Sequence, residues 1–171
     1  MIKLGQQIFD RIENLCIPTV AAINGACVGG GYELALACDH RVATLDSSTK
    51  IGLPETMLGI LPAWGGSTRL PRMIGIANAM NIILGGKVVV PKLAYKYKMV
   101  DKLVYKEYLD SAAKSLLHNG KKKYKKHTLN RFPFKYIAKS KAIKNVMKLT
   151  GGVYPAPLKA IDVMINGLSV S

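Results

Sequence analysis

Three consecutive glycines, Gly29, Gly30 and Gly31, stand between an apolar run and a helix-forming run, a junction that few folds accommodate. Residues 17–23 (IPTVAAI) are apolar and partly β-branched, which predicts a buried strand. Asn24-Gly25 breaks it, and the triple glycine lets the backbone turn tightly and lie close to a bound group. Residues 32–38 (YELALAC) predict a helix with Glu33 in its first turn. The junction is therefore strand, glycine loop, helix N-terminus. Unpaired N–H groups at a helix start favour negative charge, whether on a bound anion or on a developing oxyanion. A second carboxylate, Glu55, follows the Gly52-Leu53-Pro54 turn. Loop and carboxylates are expected to form one active site.

In 171 residues, 49% hydrophobic and 20% charged, one globular domain with a substantial core is expected. Gly, Pro or charge interrupts every apolar run well short of a membrane span, and the N-terminus lacks the pattern of a secretory signal. Cys16, Cys27 and Cys38 lie in apolar or small-residue surroundings without zinc-site spacing, so reduced, packed thiols in a reducing compartment are expected. His40, His118 and His127 show no metal spacing either and read as structural or solvated. The net charge of +15 is concentrated: up to Gly86 acids and bases nearly balance, whereas lysines dominate from Lys87 to Lys148. Such a half can bind phosphates, nucleic acid or an anionic membrane surface, and it can equally be a set of solvated helix faces.

Apolar spacings of three and four predict an amphipathic helix over residues 3–15, ended by Pro18. After the glycine loop and its helix, strands are expected over 40–44 and at 50–51, and helices from about 67 and over 76–84. A short β-branched run (87–90), a helix turn opened by Pro91 and a strand over 100–104 follow. Helices are then expected over 106–118, 138–149 and 155–165, with a lysine cluster at 121–126. The organisation is an α/β core over 1–104 that carries the site, continued by a helical, lysine-rich region over 105–171.

Three phosphate or nucleophile motifs fail on the glycine stretch. Gly25-x-x-x-Gly29-Gly30-Gly31 is not the GxGxxG of a dinucleotide site, it lacks the lysine of a Walker loop, and Gly66-Ser67-Thr68-Arg69 is not a nucleophile elbow. An oxyanion-type loop with two glutamates survives. Backbone N–H donors stabilise a thioester oxygen as it becomes enolate-like, typically by about 2.7–4 kcal/mol per donor. Two carboxylates can activate a water and move a proton as general base and acid. At this level Glu33 also reads as a first-turn glutamate favoured by the helix dipole, and Glu55 as a capping or surface residue.

The segment from Asn24 to Asp39 (NGACVGGGYELALACD) resembles the signature of the enoyl-CoA hydratases, the crotonase superfamily. Gly52-Leu53-Pro54-Glu55 and the stretch from Leu58 to Arg72 (LGILPAWGGSTRLPR) extend the resemblance in the same order. The longer link before Gly52 and the late Gly151–Pro157 segment (GGVYPAP) look most like the fatty acid oxidation α-subunit branch of that superfamily. There a hydratase/isomerase domain precedes a 3-hydroxyacyl-CoA dehydrogenase domain.

The resemblance implies a crotonase (ClpP-like) spiral of ββα units. It also implies that water adds to a trans-2-enoyl-CoA in fatty acid β-oxidation. Glu33 and Glu55 would be the catalytic pair, Gly30 an oxyanion-hole donor, and Gly29, Pro54, Gly59 and Ile60 part of substrate binding. No metal or separate cofactor is implied, since coenzyme A enters with the acyl-CoA thioester. Homo-oligomers or a fatty acid oxidation complex, cytoplasmic or mitochondrial, are the implied setting, with no nucleic acid. Trp64, bulky where small residues are common, either shapes the pocket or packs.

The chain also departs from the family. No Ala-Gly-Ala-Asp-like motif, the family's source of a second oxyanion donor, precedes Lys3, so a fold truncated at its N-terminus and reduced activity are expected. Lys98 stands where the family has a helix-ending glycine. Two alternatives stay open: an inactive crotonase-fold binding or assembly module with a basic surface, and a CoA-thioester isomerase or hydrolase of the same fold.

Overall fold

The computed structural model describes residues 2–122, 130, 132–151 and 153–168. β1 (Val20–Ile23), β3 (His40–Thr44) and β6 (Lys102–Val104) form a parallel sheet ordered β1-β3-β6, with Val20 opposite His40 and Val42 opposite Lys102. β2 (Ala26–Val28) lies parallel to β4 (Lys50–Gly52), which pairs antiparallel with β5 (Val88–Val89). The strands of each of the first two pairs, β1 with β2 and β3 with β4, part to different sheets. A helix follows each pair: α2 (Gly30–Ala37) after β2, then α3 (Gly66–Ile74) and α4 (Ile76–Ile83) after β4 and a single 3-10 turn, Glu55–Leu58. Strands shared between two sheets, with a helix closing each step, make the α/β spiral of ββα units that the resemblance implies.

β3 is buried at every position, as the middle strand of a parallel sheet covered on both faces must be. Beyond β5 the chain forms α5 (Pro91–Lys96), α6 (Leu109–Leu117), α7 (Phe134–Thr150) and α8 (Pro155–Gly167). Ala142 and Val146 of α7 and Ala160, Ile161 and Met164 of α8 share one apolar core with Leu70, Ile74, Ile76 and Ile83. The helical region and the strand-bearing region thus bury the same surface. No helix among the described residues is long and apolar enough to cross a membrane.

Three differences from the sequence expectations stand out, two of them with a physical cause. Residues 26–28, read as loop, are strand β2. Gly25 (φ 94) redirects the chain from one sheet to the other, and a three-residue strand carries too little periodicity to be seen. Cys16 is exposed rather than packed, because it lies just past the C-terminus of α1 (Ile2–Glu13), a helix with no buried residue, while Cys27 and Cys38 are half-buried. α7 starts four residues before its predicted start. The expected lysine cluster lies outside the described residues from Lys123 onward, as does His127. His40 is buried, with Nε2 2.9 Å from the Gly120 carbonyl oxygen.

Candidate active site

The pairing of β2 with β4 builds the site. Val28 lies opposite Gly52, and the Gly29 N–H donates to the Gly52 carbonyl at 3.0 Å, so the two chains leave the sheet side by side. The carboxyl ends of adjacent parallel strands are where open α/β sheets gather ligands. One exit turns into α2 and carries Glu33. The other passes through Leu53-Pro54 into the 3-10 turn and carries Glu55 at its first position. Gly52 has no room for a side chain: a Cβ there would fall 2.1 Å from the Lys87 carbonyl oxygen of the chain entering β5.

Gly29 takes φ 57 and ψ −133 at the N-cap of α2, with no side-chain cap, and its carbonyl accepts the N–H groups of Tyr32 and Glu33. The N–H groups of Gly30 and Gly31 donate to no backbone carbonyl among the described residues. They are open donors at a helix start, suited to a negative oxygen. A Cβ on Gly29 would lie 3.6 Å from Glu55 Oε1, so the glycine loop rests against that carboxylate.

The two glutamates are unlike. Glu33 is 3% exposed, and its Oε1 accepts the N–H groups of Trp64 (2.8 Å) and Gly66 (2.7 Å). Burial raises its carboxyl above the ordinary value, while those two donors and the Arg69 guanidinium pull it back. Glu55 is 8% exposed, and neither of its oxygens meets a hydrogen-bond partner on another residue among the described ones. Burial raises its carboxyl too; its own backbone N–H opposes this, and the charge of Glu33 adds to it. Neither residue behaves as a surface or capping glutamate.

The remaining predicted residues frame this pair. Pro54 caps the 3-10 turn, and Gly59 closes it in the left-handed conformation (φ 76). The Ile60 N–H donates to the Glu55 carbonyl at 3.3 Å, and the exposed side chains of Met57, Leu58 and Ile60 form an apolar ledge beside the turn. Trp64 packs. Its ring lies on Gly30 and Gly5, where a Cβ would come within 2.8 and 2.6 Å of ring atoms, and meets Phe9 edge-on at 5.7 Å.

Sequence reasoning missed the Trp64 and Gly66 N–H groups that hold Glu33. The signal was the Gly65-Gly66 doublet. Gly65 is left-handed (φ 117), and Gly66 lies so near Glu33 that a Cβ would sit 3.0 Å from its Oε1. Among the described residues no group of three or more His, Cys, Asp or Glu side chains gathers as a metal site.

The model of the enoyl-CoA hydratase/isomerase family matches residues 3–140. Curated proteins named fatty acid oxidation complex subunit alpha are similar over nearly the whole chain. That of Shewanella amazonensis (strain ATCC BAA-1098 / SB2B) is 45% identical over 175 residues, covering 98% of this chain and 25% of the relative. That of Aliivibrio fischeri (strain ATCC 700601 / ES114) is 46% identical over 173 residues, with the same coverage. The chain spans about a quarter of the length of these relatives. Among solved structures, an enoyl-CoA hydratase from Bacillus anthracis superposes with a TM-score of 0.65 at 29% identity, over 99% of this chain and 61% of that one. Pseudomonas aeruginosa DspI gives 0.65 at 29% identity, over 93% and 59%.

Proposed function

The chain belongs to the enoyl-CoA hydratase/isomerase family, and on that footing we propose that its glycine loop and paired glutamates add water to the double bond of a trans-2-enoyl-CoA. The observation that carries this is the asymmetry of the two buried carboxylates. Glu33, held through Oε1 by two N–H donors and faced by a guanidinium, has the better-supported anion. It is the general base that takes a proton from water, with Oε2 as the free oxygen. Glu55, without donors from other residues and repelled by Glu33, favours its neutral form and is the general acid. Hydroxide adds to Cβ, the π electrons shift toward the thioester oxygen, and the enolate takes a proton at Cα. The water contributes both its OH and, by way of the carboxyl pair, its proton. The open Gly30 N–H stabilises the enolate oxygen.

On this reading the substrate brings its own coenzyme A, and the two proton transfers call for no further cofactor. Gly29, Pro54, Gly59 and the apolar ledge at Ile60 bind and orient the acyl group. The similarity to α-subunits supports a place in β-oxidation, in a homo-oligomer or oxidation complex of the cytoplasm. Hydration of crotonyl-CoA, followed by loss of enoyl absorbance, tests the assignment. Glu33→Gln and Glu55→Gln are each expected to lower kcat by about 10²–10⁴. Full activity in both variants would sink it. A second reading, a non-catalytic binding module, is favoured by the net charge of +15. It would show as acyl-CoA binding without turnover.

A further inference from the structure

Helix α1 lies against α2, and several of its side chains meet one short stretch, Ala63 to Arg69. Gln6 Nε2 donates to the Ala63 carbonyl at 2.7 Å, and Phe9 and Gly5 rest on the Trp64 ring. Asp10 and Glu13 grip Arg69 Nη2 at 2.6 and 2.8 Å, and Arg69 Nε adds a 2.9 Å bond to Glu13. No residue of α1 is fully buried, so these polar and aromatic contacts add to the half-buried side, with Phe9 and Ile12, that it lays toward α2.

The same stretch aims Glu33. Its backbone supplies both hydrogen bonds to Oε1, yet it contains Gly65-Gly66, the least constrained dipeptide a chain can offer. Backbone bonds from Thr68 and Arg69 to the Gly65 carbonyl, at 3.0 and 2.8 Å, hold one side of this turn, and the Arg69 side chain holds the other. It is 7% exposed, its Nη1 donates to the Trp64 carbonyl at 3.0 Å, and it fills the space beside Gly65, where a Cβ would fall 1.8 Å from Nη1. A planar guanidinium can hold a carbonyl on one edge and two carboxylates on the others; an ammonium cannot match that fork. We propose that Arg69 is a positioning residue which, gripped by Asp10 and Glu13 of α1, locks the 64–66 turn so that its N–H groups point at Glu33. Docking of α1 thereby governs how that carboxylate is aimed. The catalytic consequence rests on the hydratase reading; the aiming does not.

The test is amide and side-chain carboxyl NMR of the whole chain, titrated through the range in which Glu33 ionises. Besides the Trp64 and Gly66 N–H groups, Arg69 and Glu55 are the charged neighbours coupled to Glu33. In the unaltered protein the Trp64 and Gly66 amide protons are expected downfield and to move with the Glu33 carboxyl. In Arg69→Met they lose that shift and Glu33 titrates at higher pH; Arg69→Lys restores only part. Asp10→Asn with Glu13→Gln keeps Arg69 and removes only the carboxylates of α1 that grip it, so it decides the matter if Arg69→Met does not fold. The same loss of amide signature is expected there. A folded variant that melts lower while both amides still follow Glu33 unchanged makes Arg69 a simple anchor and overturns the proposal. If the chain hydrates crotonyl-CoA, Arg69→Met should lower kcat by up to about 100-fold with KM little changed. Absence of turnover in the unaltered chain counts against the hydratase reading alone and leaves the NMR result decisive.

Discussion

At the scale of single residues, position 98 has a backbone conformation that its residue type suits poorly. Lys98 has φ 62, the one left-handed residue other than glycine among those described. It follows α5, where a helix-ending turn needs that conformation. A Cβ there costs roughly 1–2 kcal/mol. Lys98→Gly is therefore expected to stabilise the chain by about 1 kcal/mol, less what glycine adds to the unfolded state's entropy. A denaturant melt that moves the other way would count against it. The buried glutamates carry the opposite sign of stability to an ordinary ion-paired carboxylate. The Glu55 carboxyl is raised above 4.5 by burial first and by Glu33. The folded chain thus holds protons that the unfolded chain has released, and stability falls as pH rises from about that value through the folded pKa. Glu55→Gln removes the titration. Its melting temperature should exceed that of the unaltered chain near neutral pH, and the difference should shrink on acidification. A variant that melts lower than the parent at every pH would show that this carboxylate is not the strained group described.

At the scale of elements, one ion-pair system ties β3 to the chain around it. Arg41 is fully buried, pairs with Asp101 at 3.1 Å, and donates to the carbonyls of Ala35, Cys38 and Asp39. Lys122 bonds the other oxygen of Asp101. Burial pushes the Asp101 carboxyl up, but Arg41 and Lys122 outweigh it and hold it below its ordinary 3.8. This pair contributes above that value and is lost as pH falls through the depressed pKa. Asp101→Asn leaves the Arg41 charge buried without its counter-ion and is expected to cost about 3 kcal/mol in a urea melt. A loss under about 1 kcal/mol would mean that the three carbonyls alone satisfy the guanidinium. Helix α1 is the contrasting case. Its apolar Ile2, Leu4 and Ile8 are exposed, and Arg69 and Trp64 are among the side chains that hold it.

At the scale of the whole molecule, the charge is lopsided, and coenzyme A is a polyanion. If the proposed acyl-CoA is the ligand, a chain at +15 should bind it more weakly as salt rises, because exposed lysines act through a screened field. Calorimetry at low and high ionic strength checks this, and salt-independent binding would confine recognition to the buried site.

Much of this was written in the chain itself. The glycine loop, the following helix and strand β3 were legible because their signals are local: glycine permits the turn, and alternation or helical spacing marks the face. Glu33 and Glu55 stood out beside the glycine loop, but a first-turn glutamate and a glutamate after proline also have ordinary local explanations, and only the family's motif order favoured a catalytic pair. Contacts between residues far apart in the chain were decided by tertiary structure alone. Pairing β2 with β4 sets the two glutamates at neighbouring strand ends. The Gly65-Gly66 turn supplies the donors that make Glu33 unlike Glu55. Packing, rather than any pattern near position 64, laid Trp64 across Gly30. Composition and spacing describe what a segment can become; burial and hydrogen bonding depend on which distant segment arrives beside it, and that is settled only when the chain closes on itself.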